Sequence, residues 1–227
     1  MAEKPAALPA LLLVLTITTG LIDAVSVLGL GRVFTANMTG NIVFLGFALA
    51  GVPGYSARRS LAALAAFLVA AVIGGRLGTR LDASRRRWLL TVAFIESGVL
   101  FAAALAASGY DRETLAPVAR LYTLIVLTAV AMGIRNATAR RLAVPDLTTT
   151  VLTLTLTGLG ADSRLAGGNN PRWARRVASV GAMLGGAAVG AMLVLSVGLV
   201  WPLALIGAIT LLATLAYVVL GNPGEGS

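Results

Sequence analysis

Six long apolar stretches divide this chain, and each approaches the length that a helix needs to cross a bilayer. They cover residues 8–30, 61–77, 88–107, 118–133, 178–200 and 202–220. A crossing helix needs about 20 apolar residues for a hydrocarbon layer of about 30 Å. Charged residues make up only 12% of the chain, about half the share in an average soluble domain. The sequence therefore predicts an all-α integral membrane protein whose main partner is the lipid bilayer.

Two further apolar stretches, residues 37–51 and 147–160, are shorter, and the basic residues indicate how they lie. If both crossed the membrane, Lys and Arg would divide into nine on each side. If each enters and leaves by the same face, the division is thirteen against five. Cytoplasmic loops carry an excess of Lys and Arg. The count favours six transmembrane helices, two short re-entrant or half helices, and cytoplasmic termini.

Polar motifs recur in the same order in the two halves of the chain. "GLIDA" at residues 20–24 resembles "GIRNA" at residues 133–137, and each follows an apolar run. Each precedes a Thr-rich segment, "FTANMTGN" at 34–41 and "VPDLTTTVLTLT" at 144–155. Apolar runs match one another easily, whereas polar residues in a fixed order do so less often. The pattern predicts an internal repeat.

A Gly-Gly pair supports the same alignment and places the repeat boundary. It begins 35 residues after Thr39, at Gly74, and again 35 residues after Thr150, at Gly185. The polar loop "SGYDRETLAP" then separates a first repeat, residues 1–110, from a second, residues 111–227. Three crossings in each half make the two halves inverted relative to each other. Such 3+3 inverted repeats with broken helices are a common architecture of secondary transporters, with the binding site near the midplane.

The two short segments predict where that site lies. Asn37 is an N-cap residue type, and Asp146 follows Pro145 as an acidic cap. Two short helices that arrive from opposite faces would point their positive N-terminal ends at one place. We therefore predict that the following polar residues bind substrate at the midplane: Asp23, Asn37, Thr39, Asn41, Arg135, Asn136, Asp146, Thr149 and Thr150.

Four ionisable residues lie within apolar stretches, where charge is costly and usually functional. Asp23 and Arg135 occupy nearly equivalent places in the repeat, and we expect them to form a buried pair with either a functional or a purely structural role. Asp23 or Glu96 would couple transport to protons, although Glu96 can equally be a neutral structural carboxyl. Asp146 either binds substrate or only caps the second short helix.

Composition excludes several classes of protein. The chain has no Cys and no His, so the usual metal sites and the thiol and imidazole catalysts are absent. We expect no cofactor, no metal and no enzymatic activity. The net charge of +9 follows from the cytoplasmic excess of Arg, and no nucleic-acid partner is expected. Small residues in the Gly-rich helix at 178–198 favour either packing within one subunit or a homodimer.

The motifs "GLIDAVSVLGLGRVFTANMTGN" and "GIRNATARRLAVPDLTTTVLT" resemble the YoaK family of bacterial membrane proteins. The resemblance covers about residues 8–220 and implies a multi-spanning protein of the bacterial inner membrane. It implies no substrate. The function predicted first is secondary transport of a small polar or anionic solute. A passive channel and a membrane scaffold or accessory subunit are the alternatives.

Overall fold

The computed structural model describes residues 7–147 and 152–220, and most of them are helical. The helices are α1 (Ala7–Gly29), α2 (Met38–Leu49), α3 (Ala57–Arg80), α4 (Arg85–Ala106), α5 (Val118–Leu142), α6 (Thr153–Ala161), α7 (Trp173–Val197) and α8 (Val200–Leu220), with a 3-10 turn at Arg164–Ala166. Within the two described ranges there is no strand. The all-α prediction is confirmed.

Six helices are long and apolar enough to cross a membrane: α1, α3, α4, α5, α7 and α8. The other two are short, with 12 residues in α2 and 9 in α6. At 1.5 Å per residue these measure about 18 Å and about 14 Å, roughly half of a hydrocarbon layer. The structure therefore confirms six spanning helices with short helices between them.

The second short segment differs from its prediction. We expected an apolar helix over 147–160 with Asp146 as its cap, but α6 begins at Thr153 and has no side-chain cap. Leu147 instead belongs to an interior cluster with Leu8, Leu11 and Leu12 of α1. Asp146 has a positive φ of 65° and pairs with Arg172 and Arg176, so its cap assignment is wrong. Thr149 and Thr150 lie outside the described residues.

Contacts between loops define the two ends of the bundle. At one end, the Tyr110 end, the Tyr110 hydroxyl donates to the Gly29 carbonyl over 2.9 Å, which joins the α4–α5 loop to the end of α1. Burial raises the pKa of Tyr110 to about 12, so the phenol keeps the proton that this bond needs. At the other, the Asp82 end, Arg141 at the end of α5 donates to Asp82 over 2.7 Å. Each short helix lies in a connection that leaves and rejoins the bundle at one end.

Arginines separate unequally between these two ends. Five belong to the Tyr110 end: Arg32, Arg58, Arg59, Arg112 and Arg120. Eleven belong to the Asp82 end: Arg76, Arg80, Arg85, Arg86, Arg87, Arg140, Arg141, Arg164, Arg172, Arg175 and Arg176. Arg135 belongs to neither end because it is buried inside the bundle.

The helices pack in matched pairs. α1 lies along α7, and α5 lies along α3. α1 also contacts α8 as α5 contacts α4, and α2 rests on α3 as α6 rests on α7. α1 and α5 are the most buried of the six long helices, whereas α3 and α7 are the least buried. Exchanging α1–α4 with α5–α8 thus reproduces the same set of contacts.

Close backbone contacts follow the same exchange. Gly20 of α1 packs against backbone atoms of Met183 and Ala187 in α7. Gly133 of α5 packs in the same way against the backbone of α3 at 67–71. A β-carbon at either glycine would clash with the facing helix, so only glycine allows this approach. The first residue of each motif, Gly20 in "GLIDA" and Gly133 in "GIRNA", is therefore the glycine that lets its helix pack closely against its neighbour.

The packing also corrects the alignment of the Gly-Gly helices. A β-carbon built on Gly74 lies 2.9 Å from Cβ of Ala137, and one built on Gly190 lies 2.9 Å from Cβ of Ala24. Gly74 therefore corresponds in packing to Gly190, and not to Gly185, which faces open space. The equal spacing of 35 residues pairs Gly74 with the wrong glycine, because the connection from α5 to α7 is longer than the one from α1 to α3. Part of the Gly-rich helix packs within the subunit, while a homodimer through 178–198 stays a prediction.

Candidate functional site

An arginine and a carboxylate are enclosed together in the middle of the bundle. Arg135 of α5 donates from Nε to Oε1 of Glu96 in α4 over 2.7 Å, and Nη2 contacts the same oxygen. The exposed fraction is 1% for the Arg135 side chain and 3% for that of Glu96. A buried charge is tolerated only when it is paired and its remaining polar groups are satisfied.

Threonines from two other helices and the Leu15 carbonyl, 3.2 Å from Nη1, provide the remaining acceptors for Arg135. Nη1 donates to the hydroxyls of Thr18 (2.8 Å) and Thr19 (3.2 Å) in α1. Nη2 donates to the hydroxyl of Thr210 in α8 over 2.8 Å. The hydroxyls of Thr18 and Thr19 each donate to the Leu15 carbonyl, which leaves their lone pairs for the guanidinium. Arg135 thereby connects α5 to α1, α4 and α8.

The predicted pair of Asp23 with Arg135 does not form. Arg135 is bonded to Glu96 instead, and Oδ1 of Asp23 is buried with no hydrogen-bond partner among the described residues. The motif itself explains the error, because Asp23 of "GLIDA" aligns with Asn136 of "GIRNA", one position beyond Arg135. Adjacent helical residues point about 100° apart, so Arg135 and Asn136 face different neighbours.

A small cavity borders the Arg135–Glu96 pair. Its volume is about 20 Å³, and three hydroxyl-bearing residues line it beside the pair, Thr138, Thr210 and Thr214. This volume is enough for roughly one water molecule, and the polar lining offers hydrogen bonds. The remaining walls are apolar residues of α1, α4 and α5. The ion pair is thus closed to solute-sized molecules but has room for a water beside it.

A larger groove of about 700 Å³ runs between α3 and α5. We call it the α3–α5 groove. It brings together two of the predicted site residues, Asn136 and Asp146, beside Arg140. The other residues that line it are Phe67, Ala71, Gly75, Ala137, Ala139, Ala143, Val144 and Pro145.

Asp146 belongs to a second arginine cluster, at the Asp82 end. Its carboxylate pairs with Arg172 and Arg176, each at 3.1 Å. Arg176 also donates to Asp162 over 2.7 Å and to the Gly158 carbonyl over 2.6 Å. This cluster ties the connection between α5 and α7 to the start of α7.

The predicted residues of the first short segment form local bonds and do not meet the second segment. Asn37 caps α2 by accepting from the Gly40 amide over 3.2 Å, as its residue type predicts. Asn41 accepts from the Phe34 amide over 2.9 Å and donates back to the Phe34 carbonyl, while Thr39 is exposed. Throughout 7–147 and 152–220, α2 contacts α3 and never α6. The expectation that the two short helices face each other tip to tip is wrong.

Three threonines of the Arg135 cluster escaped the prediction. Thr18 and Thr19 lie in the run "TITTG" of α1, and Thr210 lies in "GAITLLATLA" of α8. Isolated hydroxyls in apolar helices usually bond their own backbone, so the sequence carries no signal that these three also bind an arginine. The sequence likewise predicts Arg176 as a loop charge at the membrane surface, whereas the structure buries it.

Comparison with known proteins gives the same picture of a membrane protein. A family described as "Protein of unknown function (DUF1275)" matches residues 11–216. The UPF0700 transmembrane protein YoaK of Bacillus subtilis (strain 168) is 36% identical over 153 residues, which is 67% of this chain and 65% of that protein. The match thus spans slightly less than two thirds of this relative's length. No solved structure matches the chain. Six apolar helices and a transmembrane relative make this a multi-pass membrane protein, and the chain belongs to the DUF1275 family, as its resemblance to YoaK predicted.

Proposed function

We propose that this protein is a secondary transporter for a small polar or anionic solute, with its centre at the Arg135–Glu96 pair. One observation carries the proposal: a fully enclosed ion pair lies where helices of both halves of the chain meet. Ionisable residues at such depth are costly in a bilayer and usually mark a solute or proton pathway. A protein that served only as a scaffold would gain as much stability from an apolar core.

The matched helix contacts support an inverted repeat as the framework of this transporter. Arg135 and its partners lie on α1, α4, α5 and α8. Exchanging the two halves of the chain pairs α1 with α5 and α4 with α8, so it leaves this group of four helices unchanged. In inverted-repeat transporters the substrate and coupling-ion sites lie at the interface between repeats, and one bundle moves against the other. The position of the Arg135 cluster between these four helices supports a role in alternating access.

The chemistry of the pair favours an anion coupled to a proton. Arg135 offers five N–H donors and a permanent positive charge. A solute carboxylate or similar anion would compete with Glu96 for that guanidinium, and the displaced Glu96 carboxylate would take up a proton because burial penalises its charge. Solute and proton would then enter together. Glu96 thus becomes the favoured coupling residue over Asp23.

The charge distribution supports an orientation in the membrane. The Asp82 end holds eleven arginines and the Tyr110 end five. Because cytoplasmic loops carry the positive excess, the Asp82 end would face the cytoplasm in the bacterial inner membrane. Both termini would then be cytoplasmic.

A transport assay tests the proposal after ligand screening. Thermal-shift measurements on purified protein with inorganic anions, short carboxylates, amino acids and nucleobases identify a ligand, because binding to the folded state raises Tm. Proteoliposomes then measure uptake of that ligand with and without an inward proton gradient. We expect the gradient to accelerate uptake by the unmodified protein. Glu96→Gln should lose this response but keep ligand exchange, because its amide oxygen still accepts from Arg135.

Glu113→Gln is the matched control, because Glu113 is an exposed carboxylate in the α4–α5 loop. It should behave like the unmodified protein. Uptake that ignores the proton gradient would contradict coupling and favour a passive channel. Absence of both ligand binding and uptake would favour a scaffold or accessory subunit.

A further inference from the structure

We propose that the α3–α5 groove binds an acidic phospholipid, with its headgroup at Arg140 and an acyl chain along α3. This site is separate from the Arg135 cluster and does not depend on transport. Arg140 and Arg135 project from different faces of α5, and none of the residues lining the groove bonds to the Arg135–Glu96 pair.

Charge complementarity selects an anionic headgroup. Arg140 lines the groove, is exposed, and forms no ion pair with a carboxylate of the described residues. Its neighbour Arg141 is neutralised by Asp82 at 2.7 Å. Asp146, the acidic residue of the groove, already forms ion pairs with Arg172 and Arg176. The groove therefore offers one positive charge that the described part of the chain leaves uncompensated.

The inner part of the groove suits an acyl chain. Phe67, Ala71 and Gly75 line it from α3 at intervals of four residues, so they form one strip about 12 Å long on that helix. The adjacent residues Leu68 and Val72 are exposed by 61% and 54%, as expected where a helix contacts lipid. The groove thus opens on an apolar surface and not into a polar vestibule.

The polar and apolar parts are arranged in the order that a lipid requires. α3 and α5 both run towards the Asp82 end, where Arg141 meets Asp82. Arg140 therefore lies near the membrane surface, and Phe67 lies deeper. Basic pockets between transmembrane helices on the cytoplasmic side bind acidic headgroups in this way. A free phosphate shares the headgroup chemistry but would leave the apolar strip unused.

The experiment measures lipid binding to the full chain purified in a neutral detergent. Native mass spectrometry and Tm are recorded with phosphatidylglycerol, with phosphatidylcholine, and with soluble glycerol 3-phosphate. We expect phosphatidylglycerol to bind and raise Tm more than either of the others. Arg140→Gln should weaken its binding about fivefold, the contribution of one basic residue at the membrane surface. Arg80→Gln, an exposed arginine at the same end that does not line the groove, should leave binding unchanged.

A second variant tests the apolar strip without changing charge. A β-carbon on Gly75 meets no atom within 4 Å, so Gly75→Leu should fold and fill the groove. It should reduce binding of phosphatidylglycerol. Gly185→Leu is the matched control, because Gly185 of α7 is equally open and lies outside the groove.

Three results would overturn the proposal. Equal stabilisation by glycerol 3-phosphate would show that a free anion occupies the site. A preference for phosphatidylglycerol that survives Arg140→Gln would place the acidic lipid elsewhere. Equal effects of Gly75→Leu and Gly185→Leu would exclude the apolar strip as the acyl-chain site.

Discussion

The two buried arginines, Arg135 and Arg176, make similar bonds in different surroundings. Each binds carboxylate and a backbone carbonyl. Glu96, the partner of Arg135, has 3% of its side chain exposed, whereas Asp162, a partner of Arg176, has 45% exposed. Bulk water can therefore replace a lost bond at the second cluster, whereas the first has room for about one water molecule beside the pair.

The partners also come from different parts of the chain. Those of Arg135 lie on three other long helices, α1, α4 and α8. Those of Arg176 lie within 30 residues of it, in the connection between α5 and α7. The first cluster therefore joins the two halves of the bundle, and the second fastens one connection to its own end. Substitutions should separate these global and local roles.

The largest effect is expected from Glu96→Ala. It leaves Arg135 buried without a counter-charge, which costs about 3–5 kcal/mol of unfolding free energy. For a chain of this size, Tm should fall by roughly 10 °C, measured by thermal denaturation in detergent. Replacing both Glu96 and Arg135 by Leu should restore much of this loss, because an apolar pair needs no counter-charge. If Glu96→Ala and Arg176→Ala had the same Tm, the difference between a global role for the Arg135 cluster and a local role for the Arg176 cluster would be contradicted.

Thr210→Val should have the second largest effect. The substitution keeps the shape of the side chain but removes the acceptor for Nη2 of Arg135, which it contacts over 2.8 Å. A lost hydrogen bond to a buried charged group costs about 1.5–3 kcal/mol, again measured through Tm. Thr123→Val is the control, because the exposed Thr123 hydroxyl bonds only the Ala119 carbonyl of its own helix. Equal shifts for both variants would mean that Thr210 contributes little to the cluster.

The sequence predicted the outline of the fold better than the partners within it. Long apolar runs are sufficient to predict six spanning helices, and the count of Lys and Arg on each side favours the same number. Asn37 was recognisable as a cap because capping is local, involving Gly40 three residues away. These features depend on residues that are close in sequence.

The partner of Arg135 depends on residues that are distant in sequence. Glu96 lies 39 residues before it, on another helix, and apolar helices carry little amphipathic signal to show which face meets which neighbour. The repeat predicted Asp23 as the partner of Arg135, because Asp23 is the fourth residue of "GLIDA" and Arg135 the third of "GIRNA". The start of α6 at Thr153 differs from the prediction because Thr favours a helix only weakly, so the sequence does not define where a Thr-rich helix begins.

The smallest change in Tm is expected from Arg176→Ala, with its effect confined to the α5–α7 connection. The variant loses the bonds to Asp146, Asp162 and the Gly158 carbonyl, but water reaches this end and replaces part of them. The connection should therefore open more often while the helices stay packed. Trypsin should cut after the exposed Arg164 severalfold faster than in the unmodified protein. Arg175→Ala is the control and should not change the cutting rate, because Arg175 forms no ion pair among the described residues. A large fall in Tm for Arg176→Ala would contradict the local role and show that this cluster also holds the bundle together.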